Sequence, residues 1–362
     1  MSEQTVKDYV FRKGAARRIP VSGTFELTSR CNFRCAMCYI HSESQQKCNA
    51  ARELTAEQWL ALGREAVAGG MVYLLLTGGE PLLRPDFPEI YTGLMQMGLR
   101  ISINTNGSLI TPEIVECFRK YPPEKVNVSI YGVSEATYAA LCGNAAGYQK
   151  AIRGIRMLKE AGIRVNINTT FTRSNAADME AIVAFAIAEN IPIRTTAYMF
   201  PPVRGGDGEL AENLTPEEMG RLSAEFDWLT MNDDQKRRQL QLVRRCVEEA
   251  ALENKPAPEK NTSCMAGKGS FWISWEGMMY PCAMLTDAAT DVVQAGFGPA
   301  WKETVRNSEG MGVPAGCMEC PLRRACTICA AVHAAEGCGA GEVPEEMCAK
   351  TKAYVQALLE KG

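Results

Sequence analysis

The sequence predicts an α/β fold built on parallel strands, from three observations. Short continuous apolar runs such as Met71-Val72-Tyr73-Leu74-Leu75-Leu76 read as strands buried on both faces. Helical segments with their own start and stop signals lie between such runs. Strand starts near residues 71, 100, 126, 164 and 193 recur about every 25 to 40 residues, the length of a βα unit. Right-handed parallel crossovers of this kind build either a doubly wound sheet or a barrel, and the pattern alone leaves both open.

Residues 1–22 form a polar, basic extension whose apolar pieces, Tyr9-Val10-Phe11 and Ile19-Pro20-Val21, are expected to dock on the main body. Thr24 to Thr28 alternates like a strand and runs into a cysteine loop. Thr55 caps a helix to about Ala68, and Gly69-Gly70 stops it before the run at 71–76. A helix near Phe87 to Met97 precedes a strand at Arg100 to Asn104, and Thr111-Pro112-Glu113 opens a helix before the strand Val126 to Ile130. Glu135 to Leu141 and Tyr148 to Ala161 read as helices, Arg164 to Thr170 as a strand, Ala176 to Glu189 as a helix and Ile193 to Tyr198 as the sixth strand.

The alternation stops after 201–206. Two charged amphipathic helices follow, about Pro216 to Thr230 and Asp234 to Asn254, and Lys255-Pro256-Ala257-Pro258-Glu259 signals a linker. A second domain is expected beyond it. It opens with a hairpin, Phe271 to Trp275 and Met278 to Tyr280 around a Glu276-Gly277 turn, and ends in a helix near Glu345 to Leu359. The expected organisation is an extension at 1–22, an α/β body at 23–202, a helical linker at 203–258 and a cysteine-rich domain at 259–362.

With 362 residues, 46% of them hydrophobic, the chain can bury a substantial core. A formal charge of −3 without a dense Lys/Arg tract argues against a dedicated nucleic-acid binder. No apolar run approaches the roughly 20 residues that span a bilayer, and Met1 to Arg18 has no signal-peptide core. A cytoplasmic protein with no membrane partner is expected. Eight of the fifteen cysteines fall between Cys264 and Cys348, a density at which metal or disulfide staples replace an apolar core. In a reducing compartment metal clusters are the expected staple.

Cys31, Cys35 and Cys38 are separated by three and two residues. Three soft sulfurs cannot close a four-ligand site. Unless a fourth ligand comes from afar, such a set leaves one iron of a cubane open to a substrate or cofactor. Thr77-Gly78-Gly79-Glu80-Pro81 follows the second strand, where two glycines permit a sharp turn and Glu80 can accept from an ammonium group. Asn104 and Ser129 end the third and fourth strands and can offer polar partners to a ribose. At the fifth strand's end stand Asn168, Thr170 and Arg173, the last a cation for a carboxylate, and Tyr198 ends the sixth, able to stack on a base or cover the mouth.

The three cysteines together with the Gly-Gly-Glu-Pro turn resemble the signature of the radical SAM enzymes, although Met37 stands where an aromatic residue is common. The resemblance implies an open, partial (β/α)6 TIM-like barrel and a [4Fe–4S] cluster on Cys31, Cys35 and Cys38 whose fourth iron chelates S-adenosylmethionine. It implies reductive cleavage of that cofactor to a 5′-deoxyadenosyl radical that abstracts hydrogen from substrate. Gly78, Gly79, Glu80, Asn104, Ser129, Asn168 and Tyr198 become its expected cofactor contacts. Many relatives carry an acid where this chain has Tyr131, so no role is transferred to that position.

The downstream set, Cys264, Cys282, Cys317, Cys320, Cys326, Cys329, Cys338 and Cys348, resembles the SPASM extension, which carries two auxiliary [4Fe–4S] clusters. By that resemblance Cys317, Cys320, Cys326 and Cys348 hold an outer cluster, and Cys264, Cys282 and Cys329 an inner one. Cys326 and Cys329 stand closer in sequence than is usual, which leaves open whether Cys329 or Cys338 takes the next ligand place. Eight thiolates make two full sets of four. Zinc on four cysteines is the competing reading, and Cys48, Cys117, Cys142 and Cys246 read as incidental thiols.

The resemblance thus implies three [4Fe–4S] clusters, S-adenosylmethionine, a reducing flavodoxin- or ferredoxin-type donor and a peptide or protein substrate that is oxidised or cross-linked. The short extension before the first strand points to a separate leader-peptide-binding protein or to leader-independent binding. Two alternatives stand beside this: radical oxidation of a small molecule or of one Cys or Ser in a protein, and a non-catalytic iron–sulfur protein. His41 and His333 have no readable partner, so no catalytic base is assigned.

Overall fold

In the computed structural model, residues 5–40, 52–203, 212–251, 264–339 and 341–362 are described. His41, Cys48 and the linker signal at 255–259 lie outside them. The strands are β1 (Ser22–Glu26), β2 (Tyr73–Thr77), β3 (Arg100–Thr105), β4 (Lys125–Ser129), β5 (Val165–Thr170), β6 (Ile193–Thr196), β7 (Ser270–Ile273), β8 (Met278–Tyr280) and β9 (Thr290–Asp291). They form one sheet in the order β6-β5-β4-β3-β2-β1-β7-β8-β9. Neighbours from β1 to β6 are parallel, and β6 and β9 are its two edges, so the barrel is partial and open. Among the described residues no helix is long and apolar enough to cross a membrane.

The helices between strands begin where the side chains satisfy their first amides. Thr55 accepts from Gln58 N and the Gln58 side chain returns to Thr55 N at 2.8 Å, opening the helix Ala56–Ala68. Thr111 accepts from Ile114 N, with Pro112 as the first residue of Pro112–Lys120. The N-terminal extension, from which only docking pieces were read, forms a helix, Val6–Ala16, capped reciprocally by Thr5 and Asp8. Phe11 stacks 5.2 Å from Tyr73 and fixes this helix to β2.

Strand alternation sorts the sheet's two faces. Leu74 and Leu76, Ile101 and Ile103, Val126 and Val128, and Ile167 are buried with helix residues such as Trp59, Ile90 and Ile155. The opposite positions include Asn104, Asn127, Ser129, Asn166 and Asn168, and Asn127 Nδ2 donates to Asn104 Oδ1 at 2.8 Å. The run at 71–76 is therefore apolar on the helix side while Tyr73 and Leu75 are only half-buried. The barrel's inner face is polar because the site lies there.

The hairpin of β7 and β8 turns at Gly277 with φ +82°, as the Glu276-Gly277 pair predicts. It does not stand apart from the α/β body. β7 pairs in parallel with β1, Ser22 opposite Ser270 and Phe25 opposite Ile273. The sheet thus runs across the boundary expected near 258. Phe25 in β1 is wholly buried with its ring 4.8 Å from Trp59. Phe25→Ala is expected to cost about 3–5 kcal/mol, read as a fall in the urea midpoint, because it opens a cavity where helix and sheet meet.

Candidate cofactor site and auxiliary cysteines

The cluster loop is held against the glycine turn by main-chain bonds that continue past the strands. Leu27 N donates to Thr77 O at 2.8 Å, Gly79 N to Thr28 O at 2.7 Å and Glu80 N to Arg30 O at 2.9 Å. No side chain fits between these segments: a Cβ on Gly79 would lie 2.4 Å from the Arg30 carbonyl oxygen, and one on Gly78 2.5 Å from that of Thr28. Ion pairs brace the loop's far end. Arg30 grips Glu53 through two bonds of 2.8 and 2.9 Å, and buried Arg84 donates to the carbonyls of Leu27 and Leu54 while pairing with Asp86 at 2.6 Å.

A cleft of about 410 Å³ opens at the C-terminal ends of the strands. Cys31, Cys35, Cys38, Gly78, Gly79, Asn104, Ser129, Asn168 and Thr170 line it together, although they come from five separate stretches of chain. Cys31 is pushed up to about 12 by burial, so as a free thiol it keeps its proton. Phe33 N donates to its sulfur at 3.4 Å and Asn106 Nδ2 approaches at 3.8 Å.

Glu80 lies behind the cleft rather than in it. Its carboxylate accepts from Thr105 Oγ1 at 2.8 Å, Asn106 N at 2.7 Å and Leu82 N at 3.0 Å. Burial pushes its pKa up to about 7, against the pull of those three donors. The Asn106 side chain in turn donates to Asn32 Oδ1 at 2.8 Å, so the chain Glu80, Asn106, Asn32 leads from the glycine turn into the cysteine loop.

Tyr198 and Arg173 do not join this cleft. β6 ends at Thr196, and the chain beyond it carries Tyr198 onto Phe200, 5.0 Å between rings. Arg173 Nη2 donates to Asn213 O at 3.0 Å. Among the described residues lining the cleft the cation is Arg194, whose Cα registers with Asn168 across β5 and β6. Sequence reading passed it over. The signal was its place in β6, beside a strand end already singled out.

Tyr198 and Arg173 line a second, wider cleft of about 1820 Å³. Five carboxylates border it, Glu217, Glu336, Glu342, Glu345 and Glu346, against the cations Arg173, Arg221 and Lys352. Arg221 is already paired with Glu360 at 3.3 Å. One carboxylate oxygen of Glu336 is buried without a hydrogen-bond partner. Met199 belongs to this wall and also packs in one buried cluster with Phe33 and Met37 of the cysteine loop.

The downstream cysteines fall into two groups. Cys317 is within electrostatic reach of Cys320, Cys326 and Cys348. Cys282 is within reach of Cys264 and Cys329. Cys338 stands with neither: its thiol donates toward Glu336 O at 3.8 Å, and its charged neighbours are Glu336, Glu342 and Glu345.

An open half-barrel with three cysteines at the strand ends defines a class, and comparison with known proteins supplies it. Residues 25–186 match the Radical SAM superfamily, and the chain carries a radical SAM domain. That family implies a [4Fe–4S] cluster and S-adenosylmethionine. The chain is 28% identical over 334 residues to the AdoMet-dependent heme synthase of Methanosarcina barkeri, covering 86% of this chain and 92% of that one. It is 30% identical over 165 residues to the sporulation killing factor maturation protein SkfB of Bacillus subtilis, covering 46% of this chain and 39% of that one. Among solved structures, native anSMEcpe with bound AdoMet matches with TM-score 0.70 at 18% identity, over 94% of this chain and 98% of that one. The same protein is seen with AdoMet and the Kp18Cys peptide. These structural matches establish the common fold.

Gly79→Ala forces the Arg30 carbonyl away and misaligns loop and turn. Equilibrium dialysis of iron-loaded protein is expected to show at least tenfold weaker S-adenosylmethionine binding, with the urea midpoint reporting whether the fold is retained.

Proposed function

We propose that this chain is a radical SAM/SPASM maturase acting on a peptide or protein, which it leaves oxidised or cross-linked. The observation that carries the substrate class is the second cleft. At about 1820 Å³ it exceeds the roughly 300–1,000 Å³ of ordinary small-molecule sites. Its acidic majority and the unpartnered oxygen of Glu336 suit backbone amides and ammonium groups. Met199 gives it a short path to the cysteine loop.

In this reading Cys31, Cys35 and Cys38 hold the cluster that delivers the electron for cofactor cleavage. The residues fit the group. Buried Cys31 needs a positive partner to exist as thiolate, and the amide of Phe33 already points at its sulfur. Gly78, Gly79, Asn104, Ser129 and Asn168 would line the place of S-adenosylmethionine, Arg194 would supply a cation for its carboxylate, and Glu80 would act from behind by holding Asn106. Residues 259–362 make the SPASM domain. Cys317, Cys320, Cys326 and Cys348 hold the outer auxiliary cluster, and Cys264, Cys282 and Cys329 ligate the inner one, giving three clusters in all. Among the described residues no three Cys, His, Asp or Glu side chains converge on the geometry of a single ion. A flavodoxin- or ferredoxin-type donor would supply electrons.

A second reading is oxidation of an iron tetrapyrrole, favoured by the length of the similarity to the heme synthase. Five carboxylates around the wide cleft weigh against a ligand that itself bears several. Anaerobically reconstituted protein given S-adenosylmethionine and dithionite is expected to release 5′-deoxyadenosine, and the Cys31→Ala chain is not. Co-expression with small open reading frames encoded beside the gene is expected to yield a peptide lighter by two hydrogens. No nucleoside above the Cys31→Ala control would defeat both readings. Nucleoside release together with tight hemin binding and no altered peptide would select the tetrapyrrole.

A further inference from the structure

We infer that Asn106 donates a hydrogen bond from its side-chain amide to the sulfur of Cys31 and thereby raises the redox potential of the cluster held there. The inference rests on the radical SAM reading above. Asn106 follows β3 directly, is 8% exposed and lines the smaller cleft. Its Nδ2 donates to Asn32 Oδ1 at 2.8 Å and to Cys31 Sγ at 3.8 Å, the longer contact being the one to the larger atom.

The direction of that amide is fixed by its neighbours. Asn106 Oδ1 accepts from Ser108 N at 2.9 Å, and a backbone N–H cannot accept, so the NH2 group must face the other way. A closed ring of side chains agrees with this orientation. Asn106 donates to Asn32, Asn32 Nδ2 donates to Ser108 Oγ at 2.9 Å, and Ser108 Oγ donates back to Asn106 Oδ1 at 2.7 Å. The ring uses one amide hydrogen of Asn106, and the other is directed at Cys31.

The backbone below is pinned as firmly. Asn106 N donates to the buried carboxylate of Glu80 at 2.7 Å, beside Thr105 Oγ1 at 2.8 Å, and Gly107 N donates to Thr105 Oγ1 at 3.0 Å. Asn106 therefore cannot swing away without stripping a donor from a buried acid. Phe33 N also donates to Cys31 Sγ, at 3.4 Å, but any residue at position 33 other than proline would bring that main-chain group. As an iron thiolate Cys31 can only accept. A donor aimed at a cluster sulfur stabilises the reduced state, with its extra electron, more than the oxidised one. Asn106 is a positioning residue in this sense: it acts through the ligand sulfur.

The test compares the full chain, reconstituted anaerobically, with Asn106→Ala, which has no donor, and with Ser108→Ala, which opens the ring while Ser108 N still fixes Asn106 Oδ1. Iron and sulfide are counted, and the midpoint of the S-adenosylmethionine-responsive EPR signal is measured by redox titration. The expected result is a midpoint about 59 mV lower in Asn106→Ala, a tenfold change in a one-electron equilibrium, with less than half that shift in Ser108→Ala. Equal midpoints in wild type and Asn106→Ala at equal iron content overturn the inference. An equal shift in both variants also overturns it, since the ring would then matter only as structure. The contact is read independently on wild-type protein made with asparagine carrying heavy nitrogen in its side chain. Pulsed EPR of the reduced, S-adenosylmethionine-responsive cluster is expected to show a coupling to that nitrogen. Its absence overturns the contact even if Asn106→Ala fails to load iron. A wild-type chain that holds iron but gives no S-adenosylmethionine-responsive signal would instead overturn the radical SAM reading itself.

Discussion

Backbone contact between the ends of two adjacent parallel strands is the constraint from which the site follows. β1 and β2 keep their main-chain bonding beyond the last strand residues, and the carbonyls of Thr28 and Arg30 accept from the amides of Gly79 and Glu80. Only hydrogen atoms fit on the facing α-carbons, so the glycines are a steric requirement of this join. The cysteines begin one residue further on. Their direction into the barrel mouth is therefore inherited from a sheet, the most rigid element available, and not from the loop's own preferences.

Much of this was readable in the chain because buried parallel strands write themselves as short apolar runs and their helices announce their caps. Thr55 and Thr111 each cap the helix expected of them. The cysteine and glycine motifs, the strand-end Asn104, Ser129 and Asn168, and the polar inner face they share also come together as their spacing suggests. What escaped were relations set by distant contacts. β6 stops two residues before Tyr198, and that small difference moves an expected base-stacking ring into a neighbouring cleft. Arg194 was overlooked because a lone arginine in a short strand looks like solvated surface until its neighbour across the sheet is known. The helix Val6–Ala16 has a Thr5–Asp8 capping box, but its polar character masked it.

The two clefts divide the chemistry by polarity. The smaller one is lined by amides, hydroxyls and sulfur at strand ends, a surface suited to one polar cofactor held from several sides. The larger one is edged by carboxylates from the C-terminal region and by Tyr198 and Arg173 from the barrel. The C-terminal residues build one wall of the larger cleft and the barrel builds the other. Met199 lines the larger cleft and packs in one buried cluster with Phe33 and Met37 of the cysteine loop.

The parallel pairing of β7 with β1 also has a bearing on biosynthesis. Ser22 waits for Ser270, about 250 residues downstream, so one edge of the strand that leads into the cysteine loop is bare while most of the polypeptide is being made. At roughly 5–20 residues per second on the ribosome, that interval is on the order of 12–50 s. During it the nascent barrel presents an unsatisfied row of amides and carbonyls next to three thiols. That edge stays open until β7 arrives, so the strand that aims the cysteine loop is the first to be made and among the last to be completed.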